Sequence, residues 1–198
     1  LLLPVMEDFY TIQGEGANTG YAAYFIRLGG CDVGCHWCDV KESWDADLHP
    51  LKSIEELIEK EMLTEAKAIV ITGGEPMMYN LEPLTIGLKA KGLKIFLETS
   101  GAYPLSGKFD WVCVSPKKFK SPRPDMLKRA DELKVIVFNR NDFEWAEKHA
   151  TELSSNCALF LQPEWSKSEK LLPEIIEYVK QNPKWRVSLQ THKYINIP

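Results

Sequence analysis

A chain of 198 residues, 44% of them apolar, is large enough to bury a sizeable core and is expected to form one domain over residues 1–198. A formal net charge of −4, with lysines interspersed among acidic residues, excludes a surface built to neutralise nucleic-acid phosphates. With no long apolar run and no basic-then-apolar leader, the expectation is a cytoplasmic protein that contacts neither nucleic acid nor membrane.

In chain order, β-rich runs are expected at Tyr24–Leu28, Ala68–Thr72, Lys94–Glu98, Trp111–Ser115, Leu133–Phe138, Ala158–Gln162 and Trp185–Gln190. Several are almost wholly apolar, as strands covered on both faces are. Amphipathic stretches lie between them. The first runs from Ser53 to Met62, with Ile54, Leu57, Ile58 and Met62 at helical spacing, and Ser53 followed by Glu56 is a capping-box start. Others are expected at 81–91, closed by Gly92, at 142–153 and at 169–181. Strand and helix alternation implies an α/β fold with a mostly parallel sheet and right-handed crossovers. The segment from Thr99 to Asp110 is too short and too rich in Gly and Pro for a full crossover helix, and Ser121-Pro122-Arg123-Pro124 reads as a helix break. The expected architecture is therefore an abbreviated, partly open (β/α) barrel.

Polar residues gather where these strands end: Thr72-Gly73-Gly74-Glu75-Pro76, Glu98-Thr99-Ser100-Gly101, Ser115-Pro116-Lys117, Gln162-Pro163-Glu164 and Gln190-Thr191-His192. In a parallel barrel these ends share one rim, which is where active sites sit.

Of the five cysteines, Cys113 and Cys157 lie in apolar surroundings and read as small core residues, while Cys31, Cys35 and Cys38 share a Gly-rich polar loop. The CxxxCxxC spacing lets three thiolates reach three corners of one cubic 4Fe-4S cluster and leaves the fourth iron open. The competing reading is a zinc site, with His36 as fourth ligand, in a non-catalytic binding module. The lysines at 117, 118 and 120 fit cofactor contact plus solvation. Trp44, Trp145, Trp165 and Trp185 read as packing or surface aromatics, His149 as solvent-exposed and His49 as a loop residue.

The triplet, with Trp37 just before its third cysteine, resembles the signature of the radical S-adenosylmethionine (SAM) enzymes, and Gly73-Gly74-Glu75-Pro76 resembles their methionine-binding element. Resemblance implies that SAM chelates the open iron and that reduction cleaves it to methionine and a 5'-deoxyadenosyl radical. A narrower match runs through Tyr10-Thr11-Ile12-Gln13-Gly14-Glu15-Gly16, Phe25-Ile26-Arg27-Leu28 and Leu189-Gln190-Thr191-His192-Lys193 to Pro198. Over this span the chain is similar to the 7-carboxy-7-deazaguanine synthases, lyases that convert 6-carboxy-5,6,7,8-tetrahydropterin on the way to queuosine. The resemblance implies cofactors (a 4Fe-4S cluster, SAM and Mg2+), a flavodoxin-type reductant and a homodimer. It places Gly73, Gly74, Glu75, Glu98, Ser115, Lys117 and Gln162 at SAM. It places Ile12, Gln13, Gly14, Glu15, Gly16, Arg27, Thr72, His192 and the carboxylate of Pro198 at the pterin. The residue chemistry agrees, since the Arg27 fork suits a carboxylate while Glu15 and Gln13 can pair with pterin N–H groups. The resemblance also implies a magnesium-binding threonine where this chain has Val40, so that Asp39 or a water takes its place or the dependence on magnesium is weaker, and the magnesium ligands stay open. A glycyl-radical activating enzyme shares the cysteine spacing and is the alternative within the same chemistry.

Overall fold

Alternation along the strands decides which face of the sheet meets helices and which encloses a cavity. The computed structural model describes residues 1–198. It contains nine strands: β1 (Leu2–Ile12), β2 (Ala22–Leu28), β3 (Leu51–Ser53), β4 (Ala68–Gly73), β5 (Lys94–Thr99), β6 (Trp111–Val114), β7 (Glu132–Val137), β8 (Ala158–Pro163) and β9 (Trp185–Val187). Six α-helices accompany them: α1 (Ile54–Glu61), α2 (Glu82–Ala90), α3 (Pro124–Arg129), α4 (Asn141–Ala150), α5 (Ser168–Gln181) and α6 (Thr191–Ile195). All strands form one sheet in the order β3-β1-β2-β4-β5-β6-β7-β8-β9. From β2 to β9 every neighbour is parallel, and β1 runs antiparallel to both β2 and β3. The sheet does not close on itself, as expected of an abbreviated, partly open barrel.

One set of alternating residues, including Ile26, Leu28, Ile69, Ile71, Ile95, Leu97, Leu133 and Val135, packs with the helices into a 30-residue core. The other set faces inward. Its lower tier is apolar, with Ala23, Ala68, Val70 and Phe96 buried together against Phe25 and Trp111. Its upper tier, toward the strand C-termini, is polar: Arg27 opposes Thr72 across β2 and β4, and Glu98 opposes Cys113 across β5 and β6. Removing the apolar floor from water drives the curl of the sheet, and the polar tier is left to bind something.

Local signals set the helix ends. The Ser53 hydroxyl accepts from the Glu56 amide at 3.1 Å, which caps α1. Gly92, with φ of +77°, ends the α2 turn in the left-handed region.

Five differences from the expectations have clear causes. The strand β1 was not anticipated because its sequence lacks strict alternation, and a bulge between Val5 and Glu7 accounts for that. The short strand β3 pairs only with the start of β1. Pro124 does not break a helix but begins α3 at a first-turn position, where a missing N–H costs nothing. The strand expected to reach Gln190 stops at Val187, and Thr191–Ile195 coils into α6, which is anchored where the Thr191 amide and hydroxyl donate to the Gly14 carbonyl at 2.9 and 2.8 Å. Finally, His149 is buried, not exposed. Its ring lies edge-on to Trp145 at 4.2 Å between centroids, and burial lowers its pKa.

Candidate active site

The three cysteines open on a single cavity of about 410 Å³ at the C-terminal rim of the sheet, within the size range of small-molecule sites. Their loop is pinned by backbone hydrogen bonds. Gly30 donates to the Ser43 carbonyl at 2.7 Å, Cys31 to Trp44 at 3.0 Å and Cys38 to Cys35 at 2.9 Å. From the far side, the Tyr103 hydroxyl and the Lys120 ammonium both hold the Asp32 carboxylate. None of the cysteines is in a disulfide. Burial raises the Cys31 pKa and pushes Cys35 up to about 11, so these thiols need a metal to become thiolates at neutral pH.

This arrangement fits a cluster with one free corner and does not fit the zinc alternative. The His36 ring turns away from the cavity and sits edge-on between Phe119 and Phe138, at 5.3 and 5.2 Å between centroids. It therefore offers no fourth ligand beside the thiols.

Facing the thiols is the Gly73-Gly74 turn, strapped to the end of β2. Gly74 donates to the Leu28 carbonyl and Glu75 to the Gly30 carbonyl, both at 2.9 Å. A Cβ on Gly73, whose φ is +135°, would collide with the Leu28 backbone, and one on Gly74 with the Gly30 carbonyl. Only glycine permits this approach. Glu75 does not line the cavity. It is wholly buried beneath the turn, and its carboxylate accepts from the Thr99 hydroxyl (2.6 Å), the Met77 amide (3.0 Å), the Ser100 amide (2.8 Å) and the Ser100 hydroxyl. Its place is that of an anchor between the β4 and β5 exits.

Of the other positions assigned to SAM, Glu98, Ser115, Lys117 and Gln162 all line the cavity. The half-buried Lys117 ammonium donates to the Ser115 carbonyl and hydroxyl at 2.7 and 2.6 Å. Its pKa is lowered, chiefly by burial. The three lysines thus divide: Lys117 enters the cavity, Lys118 pairs with Asp142 at 2.5 Å and Lys120 with Asp32 at 2.7 Å. Glu98 stands apart from the glycine turn in its partners, since its carboxylate accepts from Gln13 at 3.3 Å and Lys134 at 3.0 Å.

Among the pterin positions, Ile12, Gln13, Gly14, Glu15, Arg27, Thr72, His192 and Pro198 line the same cavity. Gly16 does not; its amide donates to the Ser188 hydroxyl at 2.9 Å, which ties the loop to the end of β9. Arg27 donates through Nε to Glu7 at 2.6 Å, which leaves its terminal nitrogens for a ligand. Burial alone would raise the Glu15 pKa, but the Lys134 ammonium at 2.6 Å overrides it and holds the carboxyl at about 2. Burial keeps His192 toward its neutral form.

At the position after the third cysteine, Val40 brings no oxygen, and the Asp39 carboxylate is already engaged by Lys193 at 2.7 Å and Gln190 at 3.2 Å. A magnesium ion there would meet one carboxylate in competition with an ammonium, which is a thin set for a cation that wants six oxygens.

Sequence reading assigns no site role to Lys134, Lys193, Trp44 or Trp165, all of which line the cavity, and places Gln190 only at a strand end on the rim. Both tryptophans border the cavity, Trp165 with the Lys193 ammonium 4.9 Å from its ring centre. For Lys134 the signal was present, because Glu132, Lys134 and Ile136 alternate with Leu133, Val135 and Val137, and a lysine inside an apolar strand needs a buried partner.

Comparison with known proteins decides the lineage. Residues 25–139 match the model of the Radical SAM superfamily. A 7-carboxy-7-deazaguanine synthase of Flavobacterium psychrophilum is 58% identical over 100% of this chain and 93% of its own length, and one of Synechocystis is 48% identical over 98% and 93%. The crystal structure of QueE from Escherichia coli superimposes with a TM-score of 0.86 at 33% identity, covering 95% of this chain and 93% of that one. The chain belongs to the 7-carboxy-7-deazaguanine synthase family. It is a radical SAM enzyme, and the family's cofactors, a 4Fe-4S cluster and SAM, are the groups that its cysteine loop and glycine turn suit.

Proposed function

We infer that the chain converts 6-carboxy-5,6,7,8-tetrahydropterin into 7-carboxy-7-deazaguanine with release of ammonia, a step of queuosine biosynthesis. The observation that carries this reading is the shared cavity, whose lining brings together three thiols, the Arg27 fork and the Glu15 and Glu98 carboxylates, a set suited to the two kinds of polar edge on one small acid. Cys31, Cys35 and Cys38 hold the cluster, and Gly73 and Gly74 receive the methionine end of SAM through backbone that no side chain obstructs. When bound, these groups supply the one-electron chemistry that removes a hydrogen atom from pterin C6.

The chain's own residues bind and orient. Arg27 offers its terminal nitrogens to the pterin carboxylate, and Thr72 opposes it on the neighbouring strand. Glu15 and Gln13 face the aminopyrimidine edge, whose N–H groups need acceptors, and Glu98, which the resemblance places at SAM, is reassigned to that edge because its carboxylate accepts from Gln13 and Lys134. Neutral His192, packed against Gly14, can donate or accept at the ring without adding charge. Phe9, Phe25 and Trp44 cover apolar faces and restrict water.

We also assign the protein to the cytoplasm, with an acidic one-electron donor of flavodoxin type and a homodimeric state. No helix is long and apolar enough to cross a membrane. The test of function is direct: reduced, cluster-loaded protein with SAM and the carboxylated tetrahydropterin should yield a product of deazapurine mass and one ammonia per turnover. Deoxyadenosine without deazapurine would refute the substrate assignment.

A further inference from the structure

We propose that Lys134 is a positioning residue for substrate recognition, holding Glu15 and Glu98 side by side as a two-pronged acceptor for the N–H edge of the pterin. The proposal rests on the pterin reading and deepens it by naming the residue that builds that half of the site.

The argument starts from placement. Lys134 lies in the middle of β7, its side chain 5% exposed, on the inward face of a strand whose outward residues are all core. A buried ammonium in an apolar strand costs more than a hydrocarbon of the same size, and replacing buried ion pairs by apolar residues is often neutral or stabilising. Stability alone therefore gives no reason for a lysine here. Function gives one. Its single Nζ meets Oε2 of Glu15 at 2.6 Å and Oε2 of Glu98 at 3.0 Å, and those carboxylates come from different elements, the loop after β1 and the end of β5. The remaining oxygens are also set: Oε1 of Glu15 accepts from Gln190 at 2.9 Å and Oε1 of Glu98 from Gln13 at 3.3 Å. Both carboxylates border the cavity.

Two carboxylates brought together in a low-dielectric pocket without a cation tend to share a proton, and a shared proton turns an acceptor into a donor. The pterin's amino and ring N–H groups would then face the wrong partner. With Lys134 in place the trio carries one net negative charge, which welcomes N–H donors and repels the substrate's own carboxylate toward Arg27 on β2. Orientation follows from this polarity.

The surrounding groups do not supply an alternative counter-charge. Glu132, two residues earlier on β7, has its pKa raised by burial and spends Oε2 on the Ala17 amide and the Trp111 indole. Cys113 on β6 is a buried thiol whose pKa is raised well above its ordinary value by burial. Lys117, beyond β6, is bonded to Ser115. Gln162 on β8 accepts from Ser188, His192 on α6 stays toward neutral, and Lys193 is paired with Asp39.

The test uses cluster-loaded enzyme at saturating SAM, with kcat and KM for the pterin measured from about pH 6 to 9 in the native protein and three variants. Lys134→Gln should raise KM by about 30-fold or more, as loss of one partner of a buried charge pair does, with a smaller effect on kcat. Its KM should fall as pH rises and the shared proton leaves, whereas the native KM stays flat. Lys134→Arg, whose fork reaches two carboxylates, should restore the flat profile. Where the single Gln variant fails to load a cluster, the charge-balanced pair Lys134→Gln with Glu98→Gln takes its place, and there a raised but pH-flat KM is expected. A native-like KM in either neutral variant, or a parallel loss of kcat and kcat/KM with no pH dependence, overturns the proposal. Failure of the pterin reading is separate, since native enzyme would then make no deazapurine before any variant is compared.

Discussion

Replacing Glu75 by glutamine changes one atom and should expose its role as an anchor. The carboxylate accepts four hydrogen bonds in full burial, two from backbone amides (Met77 and Ser100) and two from hydroxyls (Thr99 and Ser100). Each carboxylate oxygen serves one amide and one hydroxyl. Whichever way the glutamine amide turns, its NH2 therefore meets one backbone N–H that cannot reverse, while the facing hydroxyl can rotate to accept. Both that backbone N–H and the amide hydrogen facing it are left without an acceptor, at a combined cost of at least about 1–3 kcal/mol. For a chain of this size that corresponds to a fall in Tm of about 2–12 °C, at roughly 2–4 °C per kcal/mol. Because Glu75 joins the glycine turn to the Thr99-Ser100 exit, SAM affinity should weaken as well, although the side chain borders no cavity. Thermal unfolding of the cluster-loaded protein and equilibrium binding of SAM measure the two effects. A variant with native Tm and native SAM affinity would refute the anchor role, and loss of SAM affinity at native Tm would point to direct contact instead.

Three further outcomes are expected. Arg27→Lys should lower kcat/KM for the pterin by about tenfold or more while iron content stays native, because a point charge loses the bidentate fork; native turnover would contradict this. His149→Phe should make stability less dependent on pH: the buried imidazole has a lowered pKa, so the unfolded chain takes up its proton first as pH falls below about 6.5, and stability is lost in that direction. Denaturant titrations from about pH 8 to 5 with equal slopes in both proteins would show otherwise. Val40→Thr should increase the response of turnover to added magnesium, since it adds the missing hydroxyl beside Asp39, and an unchanged magnesium titration would remove that position from the metal site.

Much of the site was legible because its chemistry is local in sequence. The cysteine triplet, the glycine pair and the Gln13 to Glu15 segment each carry their meaning in a few adjacent residues, and the structure gathers them on one rim. What was not legible depends on long-range pairing. The link from Glu15 to Lys134 spans 119 residues and that from Glu15 to Gln190 spans 175, so neither could be read from spacing. The same limit hid β1, whose bulge breaks the period, and α6, whose coil is fixed by Gly14 at the other end of the chain. His149 was misplaced for a different reason: four of its helix neighbours are charged, but its own face turns to Trp145 and the core. Glu75 shows a motif residue whose position was clear and whose work was not, because burial, unlike spacing, is a property of the fold.

The central claim is that the three cysteines of this loop leave one iron corner facing the cavity, where SAM binds. Electron paramagnetic resonance of anaerobically reconstituted, dithionite-reduced protein tests it most directly. The account predicts a reduced 4Fe-4S signal that shifts on addition of SAM and vanishes when any one of Cys31, Cys35 or Cys38 is replaced by alanine, while replacement of Cys113 or Cys157 leaves it in place. A signal indifferent to SAM, or protein that binds zinc and forms no reducible cluster, would contradict it.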